Sequence, residues 1–170
     1  MAKFSAGILL YRKVAAGYEV LLVHPGGPFW ASKDLGSWSI PKGEFGEDEE
    51  PLAAAKREFN EEIGSSAPEG EYDSLGEAKQ SSGKIVHAFA LEADFNLEKF
   101  NSNMFEMEWP PKSGQQQEFP ENDKAAWTSL SLAAQKLVKG QVPLLAELAR
   151  RLGQKLDEPG PEAQPQGSLF

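Results

Sequence analysis

Apolar and polar positions alternate with two different periods along this chain, and the switches between them mark its elements. From Phe4 to Arg12 and again from Tyr18 to His24 the residues are largely apolar, and Ala15-Ala16-Gly17 between them predicts a turn joining two strands. Trp38 to Ile40 predicts a further short strand. Beyond Pro51 the period lengthens: Leu52, Ala55, Phe59 and Ile63 recur at three- or four-residue spacing, the stripe of a helix lying on a sheet. Asp48 as N-cap, Pro51 in the first turn and Gly64 as a left-handed C-terminal cap would bound that helix.

Period two then returns. Glu71 to Gln80 and Lys84 to Asp94 flank Ser81-Ser82-Gly83 and predict a hairpin, and Ala125 to Leu130 predicts another strand. Asn101 to Gln117, with Trp109-Pro110-Pro111 inside it, reads as a long loop, a kind of segment that is often functional in a small domain. Leu132 to Lys139 and Pro143 to Leu152 predict helices, the second with Leu144, Leu145, Leu148 and Leu152 on one face. The expected architecture is therefore α/β, a sheet with flanking helices in one domain over residues 1–156. From Asp157 the chain is rich in Pro, Gly and Gln with little to bury, which predicts a disordered tail over residues 157–170.

Composition narrows the class. The 170 residues suffice for one core. There is no cysteine, so no disulfide framework and no thiol chemistry, in keeping with a cytoplasmic location. No apolar run approaches the roughly 20 residues that span a bilayer, and the N-terminus lacks a signal-peptide pattern, so neither a membrane nor a processed leader is expected. The formal net charge is −9, with no basic stripe to replace phosphate counterions, which argues against a nucleic-acid duplex as ligand.

That negative charge is concentrated. Between Gly43 and Gly64 eight acidic residues face only Lys56 and Arg57, a local net of −6. Glu58, Glu61 and Glu62 lie on one helical face, because positions three and four along return to within roughly 60° of the first. Like charges at this spacing repel by a few tenths of a kcal/mol per pair. A hard divalent cation such as Mg²⁺, which binds carboxylate oxygens together with substrate phosphates, would compensate them. Three glutamates alone describe a solvated acidic face equally well.

The wider segment decides between these. Gly43, Glu49 seven residues before the run, then Arg57-Glu58-Phe59-Asn60-Glu61-Glu62-Ile63-Gly64 resembles the Nudix box, the signature of Nudix hydrolases, over residues 43–64. Only Ser65 departs, where the family has a bulky aliphatic residue, and local packing rather than chemistry is expected to feel the change. The resemblance implies an α/β/α sandwich around a mixed sheet and cleavage of a nucleoside diphosphate linked to another group. It implies Mg²⁺ as cofactor, with Mn²⁺ able to substitute. By motif position Glu58, Glu61 and Glu62 are metal ligands, with the backbone carbonyl of Lys42 as a further candidate. Glu58 and Glu62 also enter the catalytic set. So does Arg57, which by resemblance holds the carboxylates by pairing with neighbours such as Glu49.

Residues outside the box are assigned more loosely. Family members add a carboxylate from a later loop, and in the asymmetric dinucleoside tetraphosphate hydrolases it precedes a tryptophan like Trp127 by about six residues, which selects Glu121 with Glu118 as a rival. Ser39-Ile40-Pro41-Lys42-Gly43 is similar to those hydrolases too, with Lys42 placed to meet a polyphosphate, although proline and lysine also occur in relatives acting on diphosphoinositol phosphates. Phe29 and Trp30 end a glycine- and proline-rich loop and would either stack a nucleobase or tuck into the core. Lys112 is a phosphate candidate, while His24 and His87 are more simply packed or hydrogen-bonded residues. The leading expectation is a hydrolase of dinucleoside polyphosphates, splitting diadenosine tetraphosphate into ATP and AMP. The alternatives are a nucleoside triphosphate pyrophosphohydrolase and a non-catalytic ligand-binding module. Oligomeric state is left open.

Overall fold

A computed structural model describes residues 3–156. The expected tail, residues 157–170, lies outside the described residues. Strands β1 (Phe4–Val14) and β2 (Gly17–Pro25) form an antiparallel pair through the predicted turn, with Val14 opposite Gly17. Next come β3 (Lys42–Glu44) and helix α1 (Pro51–Ile63), then β4 (Asp73–Lys79) and β5 (Ile85–Glu92), the predicted hairpin. Strands β6 (Met104–Glu108), β7 (Gln116–Pro120) and β8 (Asn122–Ser129) precede helices α2 (Leu130–Lys136) and α3 (Val142–Arg151).

The main sheet runs β4-β5-β1-β2-β8, with β3 also on β1. It is mixed: β1 and β5 are parallel from Phe4 opposite Ile85 to Tyr11 opposite Glu92, and every other pairing in it is antiparallel. Strand alternation assigns the two faces. Ala6, Ile8 and Leu10 of β1 and Leu21 and Val23 of β2 join Ala54, Ala55, Phe59 and Ile63 of α1 on one side. Leu9, Val20 and Leu22 turn the other way, onto Leu137 beyond α2 and Leu144, Leu145 and Leu148 of α3. Near-continuous apolar strands are what burial of both faces requires, and the result is an α/β/α sandwich.

Three expectations are corrected. Helix α1 is capped at Glu50, without a side-chain cap, rather than at Asp48. A residue before proline avoids the helical region, and Glu50 is extended at φ −69°, ψ 142°, so the helix cannot begin before Pro51; Asp48 falls in a turn closed by Glu49 N–H on the Gly46 carbonyl. Trp38 to Ile40 makes only isolated bridges, Ser39 to Val23 and Trp38 to Leu137, and the laddered strand lies past Pro41 at Lys42–Glu44. The segment from Asn101 to Gln117 is not a plain loop but supplies most of the β6–β7 hairpin. Phe105 stands opposite Phe119 with ring centroids 6.1 Å apart, so a period-two pattern was present on either side of the Trp109-Pro110-Pro111 turn. Ser65 is half-buried beyond the cap, and Ala67 packs at the edge of the α1 cluster.

Phe59 is completely buried and Phe29 is 65 % exposed. Phe59→Ala is expected to cost about 3–5 kcal/mol in denaturant unfolding, whereas Phe29→Ala stays within about 0.5 kcal/mol of wild type.

Candidate active site

Helix α1 owes its orientation to its apolar stripe. With Ala55, Phe59 and Ile63 buried against the sheet, Glu58, Glu61 and Glu62 project along the flank beside β3. Gly64 then stops the helix at φ 87°, its N–H donating to the Asn60 carbonyl. A Cβ at Gly64 would also overlap the backbone of Asn101, and here the chain returns to the site. Asn101 N–H donates to the Ile63 carbonyl at 2.7 Å and Asn103 N–H to the Glu61 carbonyl at 3.1 Å. The Glu121 N–H donates to the Asn103 carbonyl at 2.7 Å, and the Glu121 carbonyl accepts from Gly26 N–H at 2.8 Å. The residue between β7 and β8 is thereby tied to the end of α1. Glu121 borders the cleft; Glu118, exposed on β7 opposite Glu106, is not among the residues lining it.

Arg57 organises the carboxylates. Its Nε and Nη2 fork onto Glu49 at 2.8 and 2.9 Å, and Nη1 donates to Glu58 at 2.7 Å and to Glu61 at 3.2 Å. The Glu49 contact leads in raising the Arg57 pKa, so the guanidinium stays charged. Gly43 completes the arrangement: a Cβ there would fall inside the Glu58 carboxylate, which lies directly on the loop backbone.

The charges are not balanced by this one cation. Burial raises the pKa of Glu58, and repulsion from Glu61 and Glu121 adds to it against the pull of Arg57. Burial and Glu61 raise Glu121 likewise. Glu62 is pushed up to about 7, chiefly by burial; the Lys42 N–H, which it accepts at 3.2 Å, and the nearby Asn122 amide draw it partly back. The Asn122 Nδ2 reaches no acceptor with hydrogen-bond geometry, however, and is a buried donor without a protein partner. The Lys42 ammonium is pushed below its ordinary range by burial and by Lys84, against Glu62, Glu44 and Glu58.

Among the described residues no three carboxylates or imidazoles already converge at ligating distance, since Arg57 Nη1 is bonded to both Glu58 and Glu61. The donor set nevertheless fits a hard divalent cation. It is all oxygen, the carboxylates feel one another's charge, and glycine at 43 keeps the space beside Glu58 free of a side chain.

A cleft of about 260 Å³ opens beside Glu62, Glu121, Asn122 and Lys42. Its lining also includes neutral side chains, Trp30 from the glycine-rich loop, Ser37, Ser39, Gln80 and Gln141. Phe29 stacks edge-on to Trp30 at 5.5 Å, outside the core, and Lys33 lies over both rings. Lys112 is exposed in the β6–β7 turn at φ 62°, away from the cleft lining. His24 is buried, with Nδ1 2.8 Å from Asp123 and Nε2 2.6 Å from the Lys33 carbonyl, while His87 meets Ser74 and stacks on Phe89. Asn122, Gln80 and Gln141 escaped sequence reasoning, because isolated neutral amides in three different segments form no spacing pattern.

A sandwich that carries clustered carboxylates on the helix flanking its sheet, Glu62 among them bordering a cleft, defines a class of α/β domain. The NUDIX domain profile matches residues 1–148, and the chain belongs to that family. A comparison with curated proteins gives no match. Among solved structures, the chain is similar to a C. elegans Ap4A hydrolase binary complex at 22 % identity, covering 89 % of this chain and 98 % of that one, with a TM-score of 0.58. It is also similar to the NUDIX domain of Shewanella oneidensis NrtR complexed with ADP ribose, at 16 % identity over 89 % of each chain and a TM-score of 0.60. The E. coli ORF135 protein gives 26 % identity over 92 % of this chain and 96 % of that one, with a TM-score of 0.52. No helix among the described residues is long and apolar enough to cross a membrane.

The raised Glu62 carboxyl has a measurable signature. Its folded pKa lies above the unfolded value, so its contribution to stability is complete below about pH 4.5 and is lost as pH rises toward 7. Without divalent cation, stability is expected to decline over that window, and Glu62→Gln should flatten the decline in urea titrations at pH 4.5, 6 and 8.

Proposed function

We propose that this protein is a Mg²⁺-dependent hydrolase of phosphoanhydrides in nucleoside diphosphate derivatives, with dinucleoside polyphosphates as the leading substrates and a cytoplasmic site of action. The observation that carries this reading is the pairing, in one cleft, of the Glu62 and Glu121 carboxylates, which feel the charges of Glu58 and Glu61, with Lys42 and the buried, unpartnered Asn122 donor. The first suits a divalent cation and the second the oxygens of a phosphate chain. Support also comes from family membership and from the similarity to structures whose names record Ap4A hydrolysis and ADP ribose binding.

In this reading Glu58, Glu61 and Glu62 would hold the cation, with the Lys42 carbonyl as a further ligand, and the cation would supply charge neutralisation for phosphate oxygens and a more acidic water. Arg57 keeps the glutamates in position from the side facing Glu49. Lys42 and Asn122 bind the phosphates, and Trp30, with Phe29 behind it, flanks the nucleoside. Glu121, on the β7–β8 junction across from α1, orients the attacking water and takes its proton as the phosphorus–oxygen bond to the departing nucleotide breaks. Water oxygen ends on one product and the leaving phosphate carries the other charge, so diadenosine tetraphosphate yields ATP and AMP.

The cleft volume favours a substrate held by one nucleoside. At about 260 Å³ it falls below the roughly 300–1,000 Å³ of sites that enclose a whole drug-sized ligand, so a second nucleoside would remain outside. That same feature keeps nucleoside triphosphates as the second reading, with nucleoside monophosphate and pyrophosphate as products.

Ion-exchange analysis of products, with Mg²⁺, from diadenosine tetraphosphate and a triphosphate panel separates the two. Equal ATP and AMP are expected, with Glu58→Gln and Glu62→Gln each lowering turnover by about 10²–10⁴-fold. Inert tetraphosphate with pyrophosphate released from a triphosphate selects the second reading. Nucleotide binding with no turnover of any substrate would make the protein a ligand-binding module.

A further inference from the structure

The neutral part of the cleft lining contains a chain of hydrogen bonds whose direction is set by the backbone. Gln141, 1 % exposed just before α3, accepts the Ile40 N–H on its Oε1 at 3.0 Å. A backbone N–H can only donate, so the Gln141 amide has one orientation and its Nε2 must face the other way. There it donates to Ser39 Oγ at 3.0 Å and to Gln80 Oε1 at 3.2 Å. Ser39 is consistent with this direction, because its hydroxyl proton goes to the Ile40 carbonyl at 2.7 Å.

The orientation is therefore relayed to Gln80. Its oxygen is committed to Gln141, and its Nε2 is left with two N–H donors and no protein partner among the described residues. The backbone of Gln80 is pinned as well: its N–H donates to the Lys84 carbonyl and its carbonyl accepts from Gly83 N–H, each at 2.8 Å. Gly140 packs so tightly on it that a Cβ there would stand 2.8 Å from the Gln80 Cα. The half-buried Gln80 thus presents a preset donor on the cleft wall.

We propose that Gln80 is the specificity-determining residue of this cleft, reading a hydrogen-bond acceptor on the nucleobase, and that the buried Gln141 is the positioning residue that holds it donor-outward. The inference rests on the nucleotide reading above and narrows it. A base edge bearing a carbonyl satisfies the Gln80 donors, whereas an exocyclic amino group at the same place sets donor against donor. Keto bases are accordingly preferred over the amino bases of the same ring, in which the exocyclic group and the adjacent ring nitrogen exchange donor and acceptor. Trp30 contributes stacking, which is indifferent to that distinction.

Calorimetric binding of matched nucleoside monophosphates to the full-length protein without divalent cation tests this apart from catalysis. IMP and AMP differ in the group on C6 and in the proton on N1, and UMP and CMP in the group on C4 and in the proton on N3. The keto member of each pair is expected to bind about threefold to tenfold more tightly. Gln80→Glu, which replaces the donors by acceptors, should abolish or reverse the ratio. Gln141→Glu keeps the acceptor for Ile40 N–H but turns the Gln80 donors inward and its oxygen toward the ligand, so it too should reverse the ratio; thermal melting confirms that both variants fold. Equal binding of the pair members by wild type, or a ratio unmoved by Gln80→Glu, overturns the inference while leaving the hydrolase reading intact. Base-selective binding without turnover of any substrate sustains the inference and defeats the hydrolase reading; failure to bind any monophosphate overturns the inference, and only with no turnover of any polyphosphate in Mg²⁺ does the hydrolase reading fall too.

Discussion

The Arg57 guanidinium, forked onto Glu49 and shared between Glu58 and Glu61, is the contact on which the site depends. It is partly solvent-exposed, and an ion pair in such a position adds on the order of 1 kcal/mol or less to stability. Its effect is positional. Carboxylates on adjoining turns of one helix repel, and without a fixed cation behind them their side chains would splay into solvent. The bidentate geometry, available to arginine and not to lysine, fixes Glu49 in the loop and the helical glutamates together. It leaves Glu62, on the cleft side, to be held by the Lys42 backbone instead.

Holding the fourth carboxylate is a matter of chain path. Glu121 lies far from the box in sequence, yet two hydrogen-bonded steps connect it to the last turn of α1 through Asn103. The segment doing this, Asn101 to Asn103, can dock only because Gly64 lacks a side chain. The glycine that ends the helix therefore also admits the strand that carries the opposing wall. The β6–β7 hairpin, with its paired phenylalanines, makes Glu121 part of an ordered junction rather than of a free loop.

The cleft lining combines two kinds of group, the charged Lys42, Glu62 and Glu121 and the neutral amides and hydroxyls of Asn122, Ser37, Ser39, Gln80 and Gln141. Burying Gln141 is tolerable because Ile40, Ser39 and Gln80 use its hydrogen-bonding groups. A network so fully used has one orientation.

Local information specified the helix and its chemistry. The spacing of Leu52, Ala55, Phe59 and Ile63 told which face is buried, and by the same periodicity told which face carries Glu58, Glu61 and Glu62. The apolar runs of β1 and β2 likewise announced a sheet covered on both sides. These features were legible because neighbours along a helix or strand are neighbours in space. The start of α1 was misread only through a neighbour effect, the restriction that Pro51 places on Glu50. The β6–β7 hairpin was obscured by prolines in its turn. What no local pattern could show is which distant residues share the cleft. The seating of Glu121 against α1, the orphaned Asn122 amide, and the relay from Ile40 through Gln141 to Gln80 depend on contacts between distant segments, the relay on pairs 101 and 61 positions apart. Single polar residues carry no periodicity, and only the packing of both helical layers on one sheet gives them a common purpose.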